Sequence, residues 1–178
     1  HAGEHTVYGF DIDRKILDFA MLDEAVDQVL NVQNLEQCDL LLLCVYPDRA
    51  IEYLEEAAPH ILPKTVVIDC CGTKQNVCRE CFKLAEKYKF LFVGGHPMAG
   101  TQYSGFKYSR AALFKGAYMI LVPPVYDDIE LLDKVKMLLA PAEFGHFSVI
   151  GAEQHDQIIA FTSQLPHIVS NAYVKSPS

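Results

Sequence analysis

The chemistry in this chain gathers around a few short stretches. The stretch FVGGHPMAGTQYSG, Phe92 to Gly105, sets one histidine, His96, among four glycines and beside Pro97. An imidazole with an ordinary pKa of about 6.5 is half available as a base near neutrality. Within reach of an alcohol, it would accept the hydroxyl proton while hydrogen leaves the carbon. Flanking glycines would let the backbone approach a ligand closely, and Pro97 would set the exit direction. A histidine that merely caps a turn is the alternative. Thr73 lies in CCGTK, just after an apolar run, where threonine is also a good helix N-cap.

Those residues need elements to hold them. HTVYGFDID, CDLLLLCVYP, KTVVIDC, FLFVGG, AYMILVPP and GHFSVI are apolar runs of strand length. Between them RKILDFAM, DRAIEYLEEAAPHI, NVCRECFKLAEKYK and DIELLDKVKMLLAPA repeat apolar residues at helical spacing. Continuous rather than alternating strands imply burial on both faces, hence a largely parallel sheet covered by helices. GAEQHDQIIAFTSQLPHIVSNAYV closes the chain as helix, kinked or divided at Pro166.

An α/β sheet of this kind binds ligands at its carboxyl edge. Asp11 ends the strand of VYGFDID, where an acidic residue can hold the ribose of a dinucleotide, although a helix cap or turn former fits equally. The glycine-rich turn that should precede such an acid by about twenty residues is not in the chain. GTQYSGFK, Gly100 to Lys107, has phosphate-loop glycine spacing but lacks the Lys-Ser/Thr pair and is set aside.

The totals exclude several classes. The 178 residues are 51% hydrophobic with a net charge of -8, which suits one globular domain and the start of another. No basic stripe exists for nucleic acid, and no apolar run nears the roughly 20 residues of a membrane span. HAGEHTVYGF is not a signal peptide, so cytoplasm is the default. Six cysteines form no disulfide framework, which favours a reducing compartment. Cys38 and Cys44 read as small hydrophobes of an apolar run, Cys70 and Cys71 as the end of a buried strand, and Cys78 and Cys81 as one helix face. A zinc module on Cys70, Cys71, Cys78 and Cys81 is the minor alternative; otherwise no metal is expected.

In order along the chain, VYGFDID, DLLLLCVYP, VVIDCCGTK, FVGGHPMAGTQYSG, AYMILVP and EQHDQIIAFTSQLPHIVSNA resemble the prephenate and arogenate dehydrogenase family of tyrosine biosynthesis. GGHPMAG followed by HD and LPH is the specific part. The resemblance covers nearly the whole chain. It implies a Rossmann-like doubly wound, mostly parallel sheet lacking its first strand, turn and helix, in a nucleotide-binding domain over 1–150. The start of an all-helical dimerisation domain would follow over 151–178. The implied reaction is oxidative decarboxylation of prephenate to 4-hydroxyphenylpyruvate with NAD. Arogenate as substrate, or a non-catalytic dinucleotide or tyrosine sensor, are the alternatives.

The resemblance also assigns residues. His96 matches the catalytic histidine, and Thr73 a serine or threonine that links that histidine to the substrate hydroxyl. Gln102 stands where many relatives carry glutamate, leaving that residue's part in substrate entry in doubt. His167 of SQLPHIV matches a histidine near the substrate side chain, and Gln164 replaces a frequent histidine. His155 and Asp156 are expected to cap a helix and hold the domain junction. Backbone from Cys44, Val45 and Tyr46 should pass beneath the nicotinamide. Asp11 would repel a 2′-phosphate, favouring NAD over NADP, a preference that the nearby Arg14 moderates. Tyrosine is implied as a possible feedback inhibitor and a homodimer as the intact assembly. The expected substrate-gripping arginine lies outside the chain, so the fragment alone is expected to be inactive.

Overall fold

A computed structural model describes residues 5–100 and 105–165. One parallel pair of short strands opens the chain: β1 (Tyr8–Gly9) pairs with β2 (Gln28–Val29), and α1 (Arg14–Leu22) connects them. The second sheet has five strands in sequential order, β3 (Leu40–Leu43), β4 (Val66–Asp69), β5 (Leu91–Pro97), β6 (Tyr118–Val122) and β7 (His146–Val149). All neighbours in it are parallel except β5 and β6. The connecting helices are α2 (Pro47–Ala57), α3 (Gln75–Tyr88) and α4 (Ile129–Leu138), and α5 (Ala152–Ile159) follows β7. The strand β2 had no counterpart in the sequence reading; with only two residues it offers no periodicity to read.

The central strands are apolar on both faces because both faces are covered. Val67 of β4 and Phe92 of β5 join Ala50 and Leu54 of α2 and Val77, Cys78 and Cys81 of α3 in one core. Their neighbours Val66, Ile68 and Val93 point the other way, into a second core with Met119, Leu121 and Leu131, Leu132 and Val135 of α4. This is the doubly wound layering that continuous strands implied. Pro47 opens α2, where a missing N–H costs nothing. The helix α5 continues as one wider turn over Ala160–Gln164, and Pro166 lies outside the described residues.

The glycines of β5 also have a packing cause. A Cβ on Gly94 would sit 2.4 Å from the Cys78 sulfur, and one on Gly95 2.6 Å from the Asp69 carbonyl oxygen. Both positions are buried in the sheet. They let α3 and the end of β4 close onto β5, and so they bring the sheet's edge together.

Candidate active site

His96 sits near the carboxyl end of β5, still paired across the antiparallel ladder to Ile120, so two strands hold its backbone. Its ring is half-buried. The Nδ1 atom lies 2.8 Å from Nε2 of His155, on the first turns of α5. His155 is buried, and its Nδ1 lies 2.8 Å from Oδ1 of Asp156.

This chain of contacts fixes the tautomers. An ionised carboxylate only accepts, so Nδ1 of His155 carries its proton and donates to Asp156. In the neutral ring Nε2 of His155 is then the acceptor, and His96 must donate to it from Nδ1. The proton-free nitrogen of His96 is therefore Nε2. Among the described residues nothing bonds that atom, and a Cβ on Gly72 would stand 4.0 Å from it. Burial, then the neighbouring His155 and Lys74, push the His96 pKa down to about 4, against the pull of Asp156. At neutral pH the site thus holds an uncharged imidazole with a bare lone pair.

Asp156 does a second job. Its carboxylate accepts from the backbone N–H of Lys74 at 2.7 Å and of Gln75 at 3.0 Å. Those are orphan donors at the start of α3, so α5 supplies that helix's cap from 82 residues away. Burial would raise the Asp156 carboxyl, but the N–H of Gln75, the His155 ring and the N–H of Lys74 together hold it below the usual range. The expectation that Asp156 joins α5 to the sheet domain matches this geometry, whereas the direct contact of His155 with His96 was not foreseen.

A buried ion pair underlies the same edge. Lys74 and Asp69 are both fully buried, and Nζ of Lys74 donates to Oδ2 of Asp69 and to the carbonyl of Gly95. Asp69 also accepts from the N–H of Cys71 at 3.1 Å and of Gly95 at 3.3 Å. Residues at the end of β4, the start of α3 and the approach to His96 are thus tied through one carboxylate. Neither residue stood out in the sequence, where Lys74 reads as an ordinary exposed lysine at a helix start.

The other expected site residues distribute unevenly. Thr73 is exposed, next to Gly72, and its hydroxyl does not cap α3, whose cap residue is Lys74. Among the described residues no bond joins Thr73 to His96. Cys44, Val45 and Tyr46 follow β3 and are exposed, with Val45 held through its carbonyl by the thiol of Cys71 at 3.3 Å. An exposed Cys44 corrects its reading as a core hydrophobe: it lies past the buried end of β3. Asp11 lies just beyond β1 of the separate two-stranded sheet and accepts from the N–H of Asp13 at 2.8 Å. Arg14 turns along its own helix to Asp18 at 2.8 Å. Gln102 and His167 lie outside the described residues, as does the side chain of Gln164.

The zinc alternative fails on direction. Cys78 and Cys81 are buried in the α3 core, Cys71 turns to Val45, and Cys70 faces Cys44. Among the described residues no group of three or more His, Cys, Asp or Glu is arranged to hold a metal. Among them, too, no helix is long and apolar enough to cross a membrane.

Comparison with known proteins gives this edge its context. Residues 1–145 match the family model described as prephenate dehydrogenase, nucleotide-binding domain. The chain belongs to the prephenate dehydrogenase family. The prephenate dehydrogenase of Bacillus subtilis is 28% identical over 98% of the chain, which covers 47% of that relative. An arogenate dehydrogenase structure from Synechocystis superposes with a TM-score of 0.83 at 27% identity, over 97% of this chain and 61% of that one. The A. aeolicus prephenate dehydrogenase in complex with hydroxyphenyl propionate and NAD+ gives 0.78 at 27% identity, over 97% and 60%. The chain spans about half the length of the curated relatives it matches.

Proposed function

We propose that this chain is the dinucleotide-binding part of an NAD-dependent prephenate dehydrogenase, oxidising the ring alcohol as the ring aromatises and carbon dioxide leaves. The observation that carries this reading is the bare Nε2 of a neutral His96, fixed by the Asp156–His155 relay. When a hydride departs from the alcohol carbon, charge builds on the oxygen. An acceptor aimed at the hydroxyl takes that proton and lowers the barrier. The depressed His96 pKa keeps the acceptor free at neutral pH. As the proton arrives on Nε2, the ring becomes cationic, and the Asp156 carboxylate favours that charge.

NAD fits the residues present. Asp11 offers a carboxylate beyond β1, where a ribose hydroxyl is held in folds of this layering. The Cys44–Tyr46 turn lies exposed past β3, beside the turn after β4 that leads to Gly72. Arg14 bonds to Asp18 along its own helix, which weakens its claim on a 2′-phosphate. NAD supplies the hydride acceptor; the chain's own residues position it and manage the proton.

Thr73, Gln102 and His167 remain proposed ligand contacts, on the family resemblance. Residues 151–178 are proposed to open a helical dimerisation domain after a nucleotide-binding domain over 1–150. The exposed Ile158, Phe161 and Leu165 along α5 and its continuation support that, since they form an apolar surface. A homodimer, tyrosine as an inhibitor and a cytoplasmic location belong to the same reading. Arogenate is the competing substrate, having an amine for the side-chain keto group. The test is the intact gene product assayed with prephenate and arogenate against NAD and NADP, with tyrosine added. NADH formation with prephenate supports the reading, and no turnover with either substrate overturns it.

A further inference from the structure

Two thiols at the sheet's carboxyl edge have no part in the chemistry above. Parallel pairing runs Leu42 with Ile68 and Leu43 with Asp69, and the N–H of Cys70 donates to the Leu43 carbonyl at 3.0 Å. One further step of this register sets Cys44 beside Cys70. In-register residues on neighbouring strands lie about 4.8 Å apart and point to the same face. That is inside the span of roughly 4.4–6.8 Å that a disulfide bridges between Cα atoms.

The two thiols lie close enough for each to shift the other's ionisation. Cys44 is exposed and Cys70 half-buried, while Cys38, Cys71, Cys78 and Cys81 are buried. Cys71 is further committed to the carbonyl of Val45. We propose that Cys44 and Cys70 form a reversible oxidation site, a disulfide switch closed by peroxide on the rim where the dinucleotide binds.

The electrostatics assign the roles. The Cys70 side chain pulls the Cys44 thiol below its ordinary range, while the Cys44 side chain and then burial raise Cys70 well above it. Cys44 is therefore the attacking thiolate and Cys70 the resolving thiol. The Cys44 sulfur attacks hydrogen peroxide, the O–O bond breaks, hydroxide leaves, and Cys44 becomes a sulfenic acid. Cys70 gives up its proton and attacks the Cys44 sulfur; the S–O bond breaks and water leaves. Two thiols and one peroxide become one disulfide and two waters. A small dithiol reverses it by exchange. The disulfide pins the Cys44–Tyr46 turn to the end of β4 and changes the surface that the turn offers the cofactor. Only this last consequence rests on the proposed function.

The experiment uses the intact gene product, treated with hydrogen peroxide, quenched by alkylation and digested for mass spectrometry. The expected result is a Cys44–Cys70 cross-linked peptide that dithiothreitol abolishes. With it should come a loss of NAD affinity of about tenfold or more, restored by dithiothreitol. Cys70→Ser should give no cross-link and leave a sulfenic acid on Cys44 that a sulfenic-acid reagent traps. Cys44 staying fully alkylatable after peroxide overturns the proposal, as does cross-linking confined to other cysteines. A cross-link that leaves NAD affinity unchanged overturns the switch. Reduced protein that binds no NAD instead sinks the functional reading, and the cross-linked peptide still decides the oxidation site.

Discussion

Lys74→Met removes the cation that neutralises Asp69 in the buried edge beneath His96. Methionine keeps most of the side-chain volume, so the loss is electrostatic rather than steric. Asp69 then has two choices, each costly. It stays ionised and loses the partner that offset its desolvation, or it takes up a proton. Protonating a carboxyl of ordinary pKa about 3.9 at pH 7 costs close to 4 kcal/mol, at about 1.36 kcal/mol per unit over some three units. That agrees with the roughly 3–5 kcal/mol found when one partner of a buried pair is removed.

For a chain of this size each kcal/mol moves the melting temperature by about 2–4 °C, so a loss of about 6–20 °C is expected. The pH dependence separates charge from packing. In the variant the folded Asp69 binds its proton more readily than the unfolded chain does. The variant's stability deficit should therefore shrink as pH falls from 7 towards 5, by up to about 1.4 kcal/mol per unit. Urea unfolding of parent and variant across that range measures it. Adding Asp69→Asn to Lys74→Met should recover part of the loss, because no uncompensated charge remains. A deficit that is constant with pH, together with a double variant no more stable than the single, would refute the electrostatic account.

Other expectations follow from the same geometry. His96→Asn should lower turnover by about 10²–10⁴ while NAD binding, measured by titration, stays nearly intact; unchanged turnover would remove His96 from the reaction. The imidazole works uncharged and its folded pKa is depressed to about 4, so kcat/KM should fall only as pH drops through that region. An acid limb centred near the ordinary histidine value would contradict the burial of the ring. His155→Leu strips the acceptor from Nδ1 of His96; an unsatisfied N–H worth about 1–3 kcal/mol translates to roughly 10–100-fold in turnover. The same variant should move the acid limb upward, since His155 helps to depress His96. Gly95→Ala forces a methyl against the Asp69 carbonyl and should cost about 1–3 kcal/mol in unfolding experiments.

Much of this protein was open to reading from the chain alone, where the relevant physics is local. VVID is buried on both faces, so its composition announces a covered parallel sheet without any knowledge of what covers it, whereas LLLL reads the same but leaves Leu42 exposed. His96 was conspicuous for the company it keeps in GGHPMAG. A packing reason for that company was not legible. Gly94 and Gly95 are small because α3 and the end of β4 press on them, a constraint from elements distant in sequence. Asp156 and Lys74 show the same limit from the polar side. Nothing near them in the chain reveals that one caps a helix 82 residues earlier or that the other is fully buried. The sequence alone determined most of the strands and helices, though not β2, and which histidine to suspect. Only the tertiary structure decided which nitrogen of that histidine is bare, because a tautomer depends on partners that folding alone brings within 3 Å.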